Sequence, residues 1–97
     1  MTERGTRLAE AFPAFAAELE ALLRAHREPA LADSIGTLTF FDRCSCGQQE
    51  CESFSTAPPP EGSYGPGHRN ISLTAPGTPY LILDVVDDQI KFIEILR

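Results

Sequence analysis

Lysine is nearly missing from this chain. It occurs once in 97 residues, at Lys91, and the fourteen Asp and Glu outnumber the eight Lys and Arg, for a formal net charge of −6. Holding a nucleic acid requires clustered cations to neutralise phosphates, so this balance argues against a nucleic-acid partner. Long apolar runs are missing as well. No stretch approaches the roughly 18–20 residues that cross a bilayer, so no membrane association is expected. Behind Met1-Thr2-Glu3-Arg4-Gly5-Thr6-Arg7 there is no apolar segment of the signal-peptide kind, which makes a reducing cytoplasm the expected location. No repeat, paired CxxC or downstream H-x₃-H is present either. Apolar residues make up 42% and charged ones 23%, near globular averages, and the length suits one acidic domain over residues 1–97.

The first third carries Leu8, Phe12, Phe15, Leu19, Leu22 and Leu23 at steps of three or four, the stripe of an amphipathic helix within residues 7–28. Pro13 belongs in the first turn of a helix, so the helix begins near Phe12 or a short turn precedes a break there. Pro29 ends it at Glu28 or one residue earlier and can open a short second helix over 29–34. The texture then changes. Leu38-Thr39-Phe40-Phe41 reads as a strand running into the cysteines, with Gly47–Glu50 as a hairpin loop and Cys51–Thr56 as the returning strand. In that register Cys46 faces Cys51 and Cys44 faces Ser53. Residues 57–68 hold four Pro and three Gly and form a loop. Strand character resumes at Asn70–Thr74.

Tyr80–Val86 and Gln89–Leu96 flank Asp87-Asp88 as a C-terminal hairpin. Strict alternation pairs Val85 with Ile90, Asp84 with Lys91, Leu83 with Phe92 and Ile82 with Ile93. It also puts Ile82, Ile93 and Ile95 on one face and Leu83, Val85, Ile90 and Phe92 on the other. The expected fold is therefore α+β, an N-terminal amphipathic helix packed on a mostly antiparallel sheet of about five strands ending in that hairpin. One helix covers one face only. The second apolar face calls for the Pro-rich loop, sheet curvature or a second subunit, which makes a homodimer an expectation.

All three cysteines lie within Cys44-Ser45-Cys46-Gly47-Gln48-Gln49-Glu50-Cys51. Zinc favours four thiolate and imidazole ligands, so Cys44, Cys46 and Cys51 with His68 form a candidate metal set. A Cys46–Cys51 disulfide across the hairpin and three unreactive buried thiols are the competing readings. A cysteine paired with His68 as nucleophile and base lacks an orienting carboxylate and an oxyanion-hole signature, so whether the chain is an enzyme stays open, with the balance towards none. In Gly65-Pro66-Gly67-His68-Arg69-Asn70, backbone amides and Arg69 could take an anion, or the segment could be a rigid turn entering a strand. With Tyr64, an interface-prone residue, it makes Tyr64, His68, Arg69 and Asn70 candidate binding residues. Asp84, Asp87, Asp88 and Glu94 read as solvated charges of the last hairpin or as an attraction for a basic partner or divalent cation.

Taken together, Asp42-Arg43-Cys44-x-Cys46-Gly47, Cys51-x-x-Phe54-x-Thr56-Ala57-Pro58 and Gly62-x-Tyr64-Gly65-Pro66-Gly67-His68-Arg69-Asn70 resemble a group of small bacterial proteins to which no activity is assigned. The resemblance implies a helix ahead of the cysteine segment and a closing strand pair, and it adds weight to the cysteines and the Gly-His-Arg-Asn turn. The functional expectation is a small non-enzymatic binding or regulatory module of the immunity or inhibitor kind, working through a protein partner. The alternative is a zinc- or thiol-dependent protein using Cys44, Cys46 and Cys51.

Overall fold

In the computed structural model the described residues are 5–43, 51–58 and 60–96. Three helices and a 3₁₀ turn come first: α1 (Leu8–Ala11), α2 (Pro13–Ala25), α3 (Pro29–Ser34) and Ile35–Thr37. Five strands follow: β1 (Asp42–Arg43), β2 (Phe54–Ser55), β3 (His68–Leu73), β4 (Tyr80–Val86) and β5 (Gln89–Leu96). They form one antiparallel sheet in the order β1-β2-β5-β4-β3. The α+β architecture with a C-terminal hairpin is the one its sequence predicts.

The prolines punctuate the helices. Pro13 and Pro29 each sit at the start of a helix, where their missing N–H is no loss, and α1 is the short turn ahead of the break at Phe12. The end of α2 differs from expectation. It stops at Ala25 rather than near Glu28, because Arg27 takes a left-handed φ of 62°. The Glu28 N–H then donates to Leu23 O at 2.8 Å and the Arg27 N–H to Arg24 O at 3.1 Å, which is the Schellman closure.

The first strand is also shorter than expected. Residues 38–40 pair instead with the N-terminal segment: Leu8 N–H donates to Leu38 O, Phe40 N–H to Thr6 O, and Arg7 bridges Thr39. Of the described residues here, Asp42 and Arg43 join the sheet, opposite Ser55 and Phe54. The expected pairing of Cys44 with Ser53 and of Cys46 with Cys51 falls on residues outside those described.

β4 and β5 join through Asp87 and Asp88, both at positive φ (50° and 63°), as a two-residue hairpin turn of the primed kind requires. The strict alternation expected beyond it is corrected by a bulge. Val85 faces Ile90 but Asp84 faces Phe92, so Lys91 is the extra residue. Leu83 then faces Ile93 rather than Phe92, and Ile82 faces Glu94. In consequence Leu81, Leu83, Val85, Ile90 and Ile93 share one face and are buried with Ile71, Leu73 and Phe54 beneath Leu8, Ala16, Leu19, Leu22, Leu23, Leu31 and Ile35. The helices cover that face alone. On the other, Ile82, Val86 and Phe92 are half-buried and Tyr80 and Leu96 exposed.

Arg27 spends a non-glycine residue on a left-handed position with its side chain in solvent. Arg27→Gly should raise stability by about 0.5–1 kcal/mol, read as a higher urea midpoint at unchanged m. A lower midpoint would show that Arg27 contributes a contact the helix end needs.

Candidate functional site

Two groups of side chains stand out, at opposite ends of the sheet. The first lies on the open face where β3 meets β4. Asn70 pairs with Asp84 and His68 with Val86, and the pleat aims His68, Asn70 and Asp84 to the same side. Asp84 Oδ1 lies 2.8 Å from His68 Nε2 and accepts from Asn70 Nδ2 at 2.6 Å. Tyr64 folds in from the Pro-rich loop with its ring centroid 4.8 Å from that of His68. Burial first, and the Asp84 charge second, push the Tyr64 phenol above its ordinary value. Part of the open face is therefore shielded by the loop, one of the covers its two apolar faces call for.

Of the candidate binding residues, Tyr64, His68 and Asn70 come together and Arg69 does not. Arg69 alternates to the helix side, where it donates to both Glu28 carboxylate oxygens at 3.2 and 3.1 Å and to Asp88 at 3.4 Å. This fork ties the end of α2 to β3 and to the hairpin turn. An Arg69 so engaged is a structural clamp rather than an anion hook. The residue that sequence reasoning placed elsewhere is Asp84, whose role as the acceptor at the centre of the first group shows only once Asn70 and Asp84 are paired across strands.

The candidate metal set is not assembled by the described residues. Cys51 is a half-buried thiol beside the far end of β5, where Ser53 Oγ accepts the Ile95 N–H at 2.9 Å. His68 sits at the turn end of the hairpin on the opposite edge strand, three strand spacings of about 4.8 Å away. The sheet holds Cys51 and His68 on opposite sides, so these two side chains do not meet. Cys44 and Cys46 fall outside the described residues, among which no three His, Cys, Asp or Glu side chains gather as ligands for a metal ion.

The second group is a pocket of about 340 Å³ between the start of α2 and the far ends of β2 and β5, lined by Phe12, Phe15, Phe40, Phe54, Pro79 and Ile95, with Arg43, Cys51, Glu52 and Ser53 as its polar members. Its aromatics form a chain of contacts: Phe12 to Phe40 at 6.0 Å, Phe40 to Phe54 at 5.2 Å, and Phe54 to Phe15 at 6.0 Å. Phe12 stays 39% exposed because it sits between α1 and α2, where the helix is interrupted before Pro13. The sequence pattern assigns Phe12 and Phe15 to the helix stripe facing the core; Phe15 is half-buried against the core, while the break leaves Phe12 at the rim. Apolar walls with a few convergent polar groups are the usual make-up of a ligand site, though this one is at the small end of the range.

No family model, no curated protein and no solved structure matches the chain. Among the described residues no helix is long and apolar enough to cross a membrane.

The Arg69 hydrogen bonds hold the Glu28 carboxyl below its ordinary value, against an opposing push from burial. A carboxylate whose pKa is lowered by folding adds stability above its unfolded value, and that addition is lost as pH falls through the folded value. Glu28→Gln should thus destabilise at pH 7 by at most about 1 kcal/mol, since Arg69 is partly in solvent. The gap from the parent should narrow below about pH 4.3 and close at lower pH. Denaturation midpoints across that range check it, and a gap that is independent of pH would remove the ion pair as its cause.

Proposed function

We propose that this chain is a small non-enzymatic binding module that acts through protein contacts, and that the pocket at the start of α2 receives an apolar side chain of its partner. The observation that supports this reading is the aromatic chain Phe12–Phe40–Phe54–Phe15 around an open cavity rather than a closed core. A buried apolar anchor seated in an aromatic pocket is the arrangement from which protein interfaces draw most of their binding energy. Hydrogen bonds to β5 hold the neighbouring segment. Ser53 is buried and bonded to β5, and Thr56 is tied to Ile90 O at 2.7 Å and, through its N–H, to Lys91 O at 2.9 Å. A second copy seated on the open sheet face is a separate arrangement that this reading does not require.

Capped peptides carrying one internal Phe or Leu test the reading without introducing charge. Titrated into isotope-labelled protein, they should shift the amide resonances of Phe12, Ser53, Phe54 and Ile95, at millimolar affinity for a single anchor. Phe12→Ser removes one wall while supplying a good helix cap, and should abolish the shifts with the fold intact. Shifts centred on Ile82, Asp84 and Phe92 would move the site to the open face, and no shifts at all would end the reading.

A further inference from the structure

We infer that the pocket takes the C-terminal residue of a peptide chain, a large apolar or aromatic side chain in the cavity and its terminal carboxylate on the Arg43 guanidinium; this rests on the pocket being the binding site. Arg43 is the one cation among the described residues that line the pocket. It belongs to the edge strand β1 directly opposite Phe54, whose ring forms part of the wall, and it makes no ion pair with any described residue. Arg7 is paired with Glu10, Arg24 with Glu20 and Asp33, and Arg69 with Glu28 and Asp88.

The site therefore joins an aromatic hollow to a fork of guanidinium donors, which matches carboxylate geometry in two parallel bonds. The complementary ligand has an apolar body with a carboxylate a bond or two from where the side chain begins. A chain terminus has that layout at its last residue, whereas an internal Phe or Leu does not. Size agrees: about 340 Å³ admits one large side chain and the atoms around its Cα, and leaves no room for a packed helix. Glu52, at the same rim, opposes any anion there, so the Arg43 guanidinium has to outweigh it for one carboxylate and a second negative charge on the ligand is disfavoured further.

Dye-labelled peptides of one sequence ending in Phe test this by anisotropy in three forms: free carboxylate, C-terminal amide, and Phe made internal by a short Gly-Ser extension. The free acid should bind about tenfold or more tighter than the amide. Arg43→Gln should weaken the free acid to the level of the amide and leave the amide unchanged, a coupling that loss of fold cannot produce. N-acetyl-phenylalanine should compete with the free-acid peptide, and lengthening the peptide upstream should improve on it. Equal binding of acid and amide, both lost in Phe12→Ser, would overturn the carboxylate role while leaving the pocket as the site. Weakening of acid and amide alike by Arg43→Gln would also overturn it. Absence of binding by every form at millimolar concentration would remove both the carboxylate role and the pocket.

Discussion

Opposite the step from Asp84 to Val85, strand β5 carries one residue more than strict pairing needs, and that residue, Lys91, sets which way every later side chain of β5 points. Ile90 faces the helices. Without the bulge Phe92 would follow it inward, and Ile93 and Ile95 would turn to the open side. With it, Ile93 is buried at the centre of the core and Ile95 reaches the pocket, while Phe92 and Glu94 go to the open face. The bulge is held from the neighbouring strand side: the Lys91 carbonyl accepts the Thr56 N–H, and the Ile90 carbonyl accepts the Thr56 hydroxyl. Thr56 is buried for that reason, its polar atoms taken up by the backbone groups that the irregularity frees.

With β5 phased in this way, the sheet is dressed on one side. Leucines of α1, α2 and α3 pack over Leu81, Leu83, Val85, Ile90 and Ile93, and the Arg69–Glu28 fork locks the far end of α2 to the sheet. The near end of α2 is different. The break at Phe12 and Pro13 keeps the helix from closing over Phe40 and Phe54, and the pocket is the space that remains. On the bare side, Asp84 gathers His68, Asn70 and Tyr64 and so recruits the Pro-rich loop as a partial cover. The two candidate sites thus descend from separate causes, a helix break and a cross-strand carboxylate.

Local chemistry was legible where it acts locally. Pro13 and Pro29 begin helices, the Pro- and Gly-rich stretch is a loop, and two β-rich runs around Asp87-Asp88 are a hairpin. What could not be read involves partners distant in sequence. The bulge had a signal in retrospect, since Ile90, Ile93 and Ile95 are aliphatic with Glu94 between the last two, a spacing of three then two. Alternation alone favours the other phase because Phe92 is as apolar as Ile93. Likewise Leu38–Phe41 has strand composition, but its hydrogen bonds go to the N-terminal segment around Thr6–Leu8, which no local pattern reveals. The candidate ligand His68 is drawn to Asp84, and away from Cys51, because the strand order β1-β2-β5-β4-β3 sets β3 beside β4 at one edge and β1 at the other. Arg43 carried no signal beyond its place beside Cys44; its position at the pocket depends on Phe12, Phe15, Phe40 and Phe54 meeting from distant parts of the chain.

The phase of β5 is accessible directly by interstrand nuclear Overhauser effects in the labelled protein. The bulged register predicts cross-strand contacts from Leu83 to Ile93 and from Asp84 to Phe92, together with Ile95 side-chain contacts to Phe54. Contacts from Leu83 to Phe92 and from Ile82 to Ile93 would contradict it, and with it both the core and the pocket built on that strand.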